Sequence, residues 1–250
     1  MVTQYCQSII YNNMTFLYKS YDVDYEYTSL SHPNTLLLLH GWGGNKDSFI
    51  SVKKVLKHNY NIFAISMPPY NNSTLALDMY DYMKIVLNIL KLHNINSISI
   101  ICHSFGMRVS LMLATKITIN KIVITGGAGI KFKPNFFKIL TTRFRSIFLN
   151  QHPEYFTSIA SADYVNLSCV DKLTFKNIVN KDLTNYITLL KCPALLFWGN
   201  RDTATPIKML KKFKSLHLNT KCEIIKGGTH FCYLEHAQQF IECCENFLNS

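Results

Sequence analysis

One stretch constrains this chain more than any other. Ser97-Ile98-Ser99-Ile100-Ile101-Cys102 is an apolar, β-branched run that leads through His103 to Ser104, and a helical pattern begins at once with Phe105-Gly106-Met107-Arg108-Val109. A strand that turns straight into a helix leaves its apex residue little room. The spacing is that of G-x-S-x-G, with Cys102 in place of the first glycine and Gly106 in place of the second. Small residues are needed two before and two after the serine, because a large side chain at either place would strike the neighbouring strand or helix. By itself the match could equally describe a serine capping a helix.

The rest of the chain alternates in the same way. Short apolar runs at Thr35–Leu39, Asn61–Ser66, Lys121–Thr125, Ala194–Trp198 and Cys222–Lys226 read as strands. Runs without polar alternation suit strands buried on both faces. Between them, Lys46–Lys57, Thr74–His93, the stretch from Ser104 to Ile117, Pro206–Leu216 and His236–Leu248 carry helical spacing of apolar residues. Strands alternating with helices predict right-handed crossovers and a mostly parallel sheet, an α/β fold. The first 30 residues predict short strands with a turn at Asn12-Asn13. From about residue 131 to 190 the alternation breaks, and the pieces Phe136–Leu149 and Phe175–Leu190 read as helical. The expected organisation is therefore a core of residues 1–130 and 191–250 with a helical insertion at 131–190.

Composition bounds the function. With 48% hydrophobic and 16% charged residues over 250 positions, the chain can bury a substantial core. No apolar run reaches the roughly 18 residues of a membrane span, so none is expected. The start of the chain lacks a basic region followed by an apolar core, so no secretory signal is expected. Eight scattered cysteines form no C-x-x-C pair, which argues against a zinc site and for free thiols in a reducing, cytoplasmic setting. The net charge of +11 raises nucleic acid as a partner. No binding motif accompanies it, and Lys208, Lys211, Lys212 and Lys214 read as the outer face of an amphipathic helix, so no nucleic-acid partner is expected.

In an open parallel sheet, ligands sit beyond the carboxyl ends of the strands. Four loops at that edge carry reactive or donor groups: His40-Gly41-Trp42-Gly43-Gly44, the turn at Ser104, Gly199-Asn200-Arg201-Asp202, and Gly227-Gly228-Thr229-His230. Together these segments, in the order Ser…Asp…His, resemble the α/β-hydrolases of the serine-nucleophile type with a cap domain, over about residues 35–248. The resemblance implies Ser104 as nucleophile, His230 as general base and Asp202 as the acid that orients it. It implies the backbone N–H groups of Trp42 and Phe105 as the oxyanion hole, and residues 131–190 as a helical cap. A serine hydroxyl becomes a useful nucleophile only when a base removes its proton, and the base must be held in one tautomer. His40 reads as a structural residue. Thr125, where some family members carry the acid one strand earlier, is not a carboxylate. A serine at the turn excludes the family members whose nucleophile is an aspartate.

The expected activity is hydrolysis of a small carboxylic ester through an acyl-enzyme, on a small-molecule substrate and without metal or other cofactor. Lactonase, thioesterase, C–C bond hydrolase and acyltransferase chemistries share the frame. So does a ligand-binding or signalling protein with vestigial turnover. His103, Ser161 and Tyr164 are the candidate lining residues of the substrate pocket. Cys102 and Met107 depart from the family pattern, and Met107 is expected to crowd the pocket floor or the packing of its helix.

Overall fold

The computed structural model describes residues 9–30, 32–68, 74–132 and 167–250. The elements are β1 (Ile9–Tyr18), β2 (Tyr21–Ser29), β3 (Thr35–Leu39), α1 (Ile50–Leu56), β4 (Asn61–Ile65), α2 (Met79–Leu92), β5 (Ser97–His103), α3 (Phe105–Leu113), β6 (Thr118–Thr125), α4 (Cys169–Asn180), a 3-10 turn (Thr184–Leu189), β7 (Ala194–Gly199), α5 (Lys208–Leu216), β8 (Thr220–Ile225), α6 (Cys232–Glu235) and α7 (Ala237–Asn249). The strands form one sheet in the order β1-β2-β4-β3-β5-β6-β7-β8. The β1–β2 and β2–β4 pairs are antiparallel, and all pairs from β4 through β3 to β8 are parallel.

The apolar runs are continuous because both faces of the sheet are covered. Leu37, Leu39, Phe63, Ile65, Ile100, Cys102, Ile122, Ile124, Leu196 and Trp198 pack with the buried residues of α2, α3 and α5. Their alternates Leu36, Leu38, Ile62, Ala64, Ile101, Val123, Leu195 and Phe197 pack with α1 and α7. Each such aliphatic or aromatic side chain contributes about 1.5–3 kcal/mol when fully buried. The central strands are thus pinned in register from above and below.

Three local expectations change. Asn12-Asn13 is no turn. β1 runs through it with a register irregularity between Tyr11 and Met14, and the hairpin closes at Lys19-Ser20, with Tyr18 opposite Tyr21 and Lys19 in the left-handed region at φ 53. The long helix starts at Met79 rather than near Thr74. Asp78 accepts from the backbone N–H groups of Tyr80 and Asp81, and Asp81 bonds back to the Asp78 N–H. This two-way cap is stronger than a lone threonine, and it leaves Leu75 outside the helix and exposed. In the insertion, Phe136–Leu149 lies outside the described residues. The later helix is α4, which begins at Cys169, where the Ser168 hydroxyl accepts from the Asp171 N–H, and it ends at Asn180.

That helix is tied to the core at its middle and at its C-terminal end. The Leu77 N–H donates to Thr174 Oγ1 at 3.0 Å. Arg108, buried on α3, donates through Nη1 to the carbonyls of Ile178 (2.9 Å) and Lys181 (3.0 Å). Burial pulls the Arg108 guanidinium down to about 10, still charged at neutral pH, and a cation at a helix C-terminus complements the helix dipole.

Met107 is fully buried and does not disturb its helix. Its length fits because position 127 has no side chain. A Cβ there would collide with Met107 Sδ and would lie 2.6 Å from Ile124 Cγ2. Gly127→Ala is therefore expected to cost about 1–3 kcal/mol by overpacking. In a Met107→Ala background that cost should shrink without vanishing, because Ile124 still meets the new methyl. Urea denaturation of the four members of this cycle measures the coupling; equal costs in both backgrounds would contradict the packing account.

Candidate active site

Ser104 sits at φ 47 and ψ −106, a backbone conformation that non-glycine residues rarely adopt. Such a residue costs roughly 1–3 kcal/mol and persists only where its surroundings fix it. Here the Ser104 N–H donates to the Thr125 carbonyl at 3.0 Å, and the Ser104 carbonyl accepts from Met107 N (3.1 Å) and Ala128 N (3.0 Å). From residue 101 to 113, Ser104 alone is not buried. The requirement for small flanking residues is met from both sides. A Cβ on Gly106 would collide with the Leu39 carbonyl. Cys102 is fully buried with its Sγ directed at the Val123 carbonyl at 3.6 Å, and burial pushes its thiol up to about 12, so it is a neutral packing group.

The loop after β3 runs against the serine. A Cβ on Gly41 would lie 3.5 Å from Ser104 Cβ and would collide with the His103 ring. His40 holds this loop. Its Nε2 accepts from Met67 N at 2.7 Å, so Nδ1 carries the proton donated to the Gly41 carbonyl at 2.6 Å. Full burial pulls His40 down to about 4. Phe105 is the first residue of α3, and N–H groups of a first helical turn have no intrahelical acceptor. The Trp42 ring meets Phe105 edge-on at 5.7 Å and Phe175 of α4 at 5.3 Å, and Phe105 also meets Tyr82 at 4.8 Å. An aromatic wall thus spans from α2 to α4 beside the serine.

Asp202 follows β7 and is buried, with both oxygens engaged. Oδ1 accepts from Thr205 N at 2.8 Å, and Oδ2 accepts from Thr205 Oγ1 at 2.7 Å and from His230 Nδ1 at 2.8 Å. Burial alone would raise its pKa, but the hydrogen bonds from His230 and Thr205 outweigh it and hold the carboxyl below its ordinary range. His230 therefore carries its proton on Nδ1 when neutral, which makes Nε2 the basic nitrogen. The loops bearing the two residues are cross-tied by Arg201 N to the Gly228 carbonyl (2.9 Å) and Gly227 N to Asn200 Oδ1 (2.8 Å). Gly126 joins them to the serine. It follows Thr125, which holds the Ser104 N–H, and a Cβ on it would lie 3.0 Å from His230 Nδ1 and 3.3 Å from Asp202 Oδ2.

His103, expected beside the substrate, is only 3% exposed and turns inward. It lies 4.7 Å from the His230 ring and 4.8 Å from Tyr233 between centroids, and its Nε2–H donates to the His230 carbonyl at 3.0 Å. It supports the loop of the general-base candidate and offers little surface to a ligand. Burial, with the neighbouring His230, pulls it down to about 3. Ser161 and Tyr164 lie outside the described residues. Phe175, Thr205 and Gly126 were not read as site residues from the sequence. Among them only Thr205 left a signal, a hydroxyl three residues after Asp202. Among the described residues, no three His, Cys, Asp or Glu side chains converge so as to hold a metal ion, and no helix is long and apolar enough to cross a membrane.

The neutral burial of His40 and His103 has a consequence for stability. Both stay unprotonated in the fold well below 6.5, whereas the unfolded chain takes up protons there. The stability they provide is complete above about pH 6.5 and is lost as pH falls toward 4, by up to about 1.4 kcal/mol per pH unit for each. Urea denaturation at pH 7 and pH 5 should show a fall of roughly 3 kcal/mol. Equal stability at the two pH values would contradict the neutral state of these rings.

Comparison with known proteins agrees with this architecture. Residues 34–171 match the family model described as the alpha/beta hydrolase fold, a span that includes Trp42 and Ser104 and stops short of Asp202 and His230. The chain is 23% identical over 247 residues to the pimeloyl-[acyl-carrier protein] methyl ester esterase of Wigglesworthia glossinidia brevipalpis, covering 85% of this chain and 93% of that protein. It is 22% identical over 230 residues to the uncharacterized hydrolase YugF of Bacillus subtilis, covering 76% and 81% respectively. Among solved structures, an esterase from Exiguobacterium antarcticum superposes with a TM-score of 0.70 at 15% identity, over 92% of this chain and 97% of that one. With the family match spanning more than half of its length and its sheet order, turn and strand-end loops in agreement, the chain belongs to the α/β-hydrolase family.

Proposed function

We propose that this protein is a serine hydrolase that cleaves a small carboxylic ester through an acyl-enzyme on Ser104. The observation that carries the reading is the strained, outward-facing Ser104 on the same sheet edge as a His230–Asp202 pair whose Nδ1–Oδ2 bond is 2.8 Å. The esterase relatives favour an ester over the other acyl substrates that the frame admits.

The steps follow from the groups present. Ser104 Oγ attacks the ester carbonyl while His230 Nε2 takes its proton. Asp202, kept ionised by its donors, holds the imidazole in the required tautomer and stabilises the imidazolium. The oxyanion that forms is bound by the N–H groups of Phe105 and Trp42. Losing one such donor costs about 10²–10³ in rate. His230 then protonates the departing alcohol. A water attacks the acyl-enzyme with His230 as base, releasing the acid. Residues 131–190 serve as the cap, a role supported by Phe175 of α4 meeting Trp42. The buried free thiols Cys102, Cys192, Cys232 and Cys244 suit a reducing, cytoplasmic setting.

Ser104→Ala should lower turnover of a short p-nitrophenyl ester at least about a thousand-fold while the circular dichroism spectrum stays unchanged, and a fluorophosphonate probe should label the wild type at Ser104. Turnover retained by the alanine variant would sink the assignment. Activity of the wild type should rise with pH as His230 loses its proton, because Asp202 is already ionised. A profile flat between about pH 5 and 8 would contradict the role of His230.

A further inference from the structure

Thr205 stands out once the partners of Asp202 are accounted for. It is 4% exposed, and its backbone is fixed on both sides, by Trp198 Nε1 donating to its carbonyl at 2.8 Å and by its own N–H donating to Asp202 Oδ1 at 2.8 Å. Its hydroxyl must donate to Asp202 Oδ2 (2.7 Å), because an ionised carboxylate has only lone pairs to offer. A lone pair of Oγ1 is then left toward His230 Nδ1, 3.2 Å away. The Nδ1–H is therefore shared between Oδ2 and Oγ1, and Oδ2 is shared between two donors.

We propose that Thr205 is a positioning residue of the hydrolytic site, which locks the Asp202 carboxylate against His230 Nδ1 and draws off part of the negative charge that would otherwise stabilise protonated His230. The proposal rests on the triad reading above. Two consequences follow from the geometry. The carboxylate cannot rotate, because the Thr205 N–H holds one oxygen and the Thr205 hydroxyl holds the other. The imidazolium also receives less of the carboxylate's charge than it would against an unshared carboxylate.

The other titratable groups around the pair do not supply this effect. His103, against the His230 ring, is kept neutral by burial and pulled down to about 3, and His40 behind it is pulled down to about 4. Burial pushes the Cys232 thiol up and the Tyr233 phenol up to about 12, so both are uncharged. Arg201 precedes Asp202 but is exposed, and Glu235 is exposed and engaged with Thr229.

The test compares wild type with Thr205→Val, Thr205→Ala and Thr205→Ser on a short p-nitrophenyl ester across pH, with a thermal melt of each and fluorophosphonate labelling of the wild type. Valine keeps the shape and removes the hydroxyl; alanine carries the same expectation where valine does not fold. For these two, kcat should fall about ten-fold with KM nearly unchanged, and the acid limb of the kcat profile should move up by about half a pH unit. Serine should restore both. A residue that only packs would lower the melting temperature and leave the limb in place. A limb that stays put, or moves to lower pH, in a wild type that labels at Ser104 overturns the role of Thr205 and leaves the triad standing. A wild type that neither labels nor turns over overturns the triad reading, and this proposal with it.

Discussion

The backbone of Ser104 is the constraint on which the rest of the molecule depends. A serine held at φ 47 is an unfavourable local state, and nothing in its own stretch makes it favourable. What holds it is the sheet. The Thr125 carbonyl at the end of β6 receives the Ser104 N–H, the Ala128 N–H reaches its carbonyl, and α3 is drawn so close to β3 that only hydrogen fits at position 106. Those contacts exist because β3, β5 and β6 are buried on both faces and cannot shift in register without moving an apolar face into the wrong layer. Core burial offsets the strain, and it holds Ser104 at the start of α3, against the loop that carries Gly41 and Trp42.

The same economy runs through the polar groups. His40 is spent on tying the glycine-rich loop to Met67, and His103 on tying the His230 loop to β5. Both are neutral by burial, so neither places a positive charge beside His230. Asp202 has every oxygen directed by a donor, and Arg108 fastens α4 to the helix that begins at the serine. α4 is therefore anchored to the same helix that begins after Ser104.

Much of this was legible in the residues. The apolar runs of β3, β5 and β7, the order Ser104, Asp202, His230, and the glycine-rich loop at Trp42 are local patterns that buried parallel strands and tight turns impose. What could not be read was decided by partners distant in sequence. Asn12-Asn13 has the composition of a turn, yet its strand continues because β2 pairs through it. Thr74 and Asp78 are both good caps, and Asp78 prevails because Asp81 answers it. His103 stands next to Ser104 in the chain but belongs to the buried face, a fact set by the His230 loop folding over it. Met107 looked too large for its place, and Gly127, twenty residues on, is what accommodates it.

The central claim is that the hydroxyl of Ser104 attacks a carbonyl whose oxygen is received by two backbone N–H groups. The most direct test is a crystal structure of the protein inactivated with a small alkyl phosphonate, whose tetrahedral phosphorus stands in for the attacked carbon. Phosphorus should be bonded to Ser104 Oγ, with the phosphonyl oxygen about 2.7–3.1 Å from the nitrogens of Trp42 and Phe105, and His230 Nε2 facing the departed group with Nδ1 still on Asp202. An adduct on another residue, or a phosphonyl oxygen turned away from both nitrogens, would contradict it.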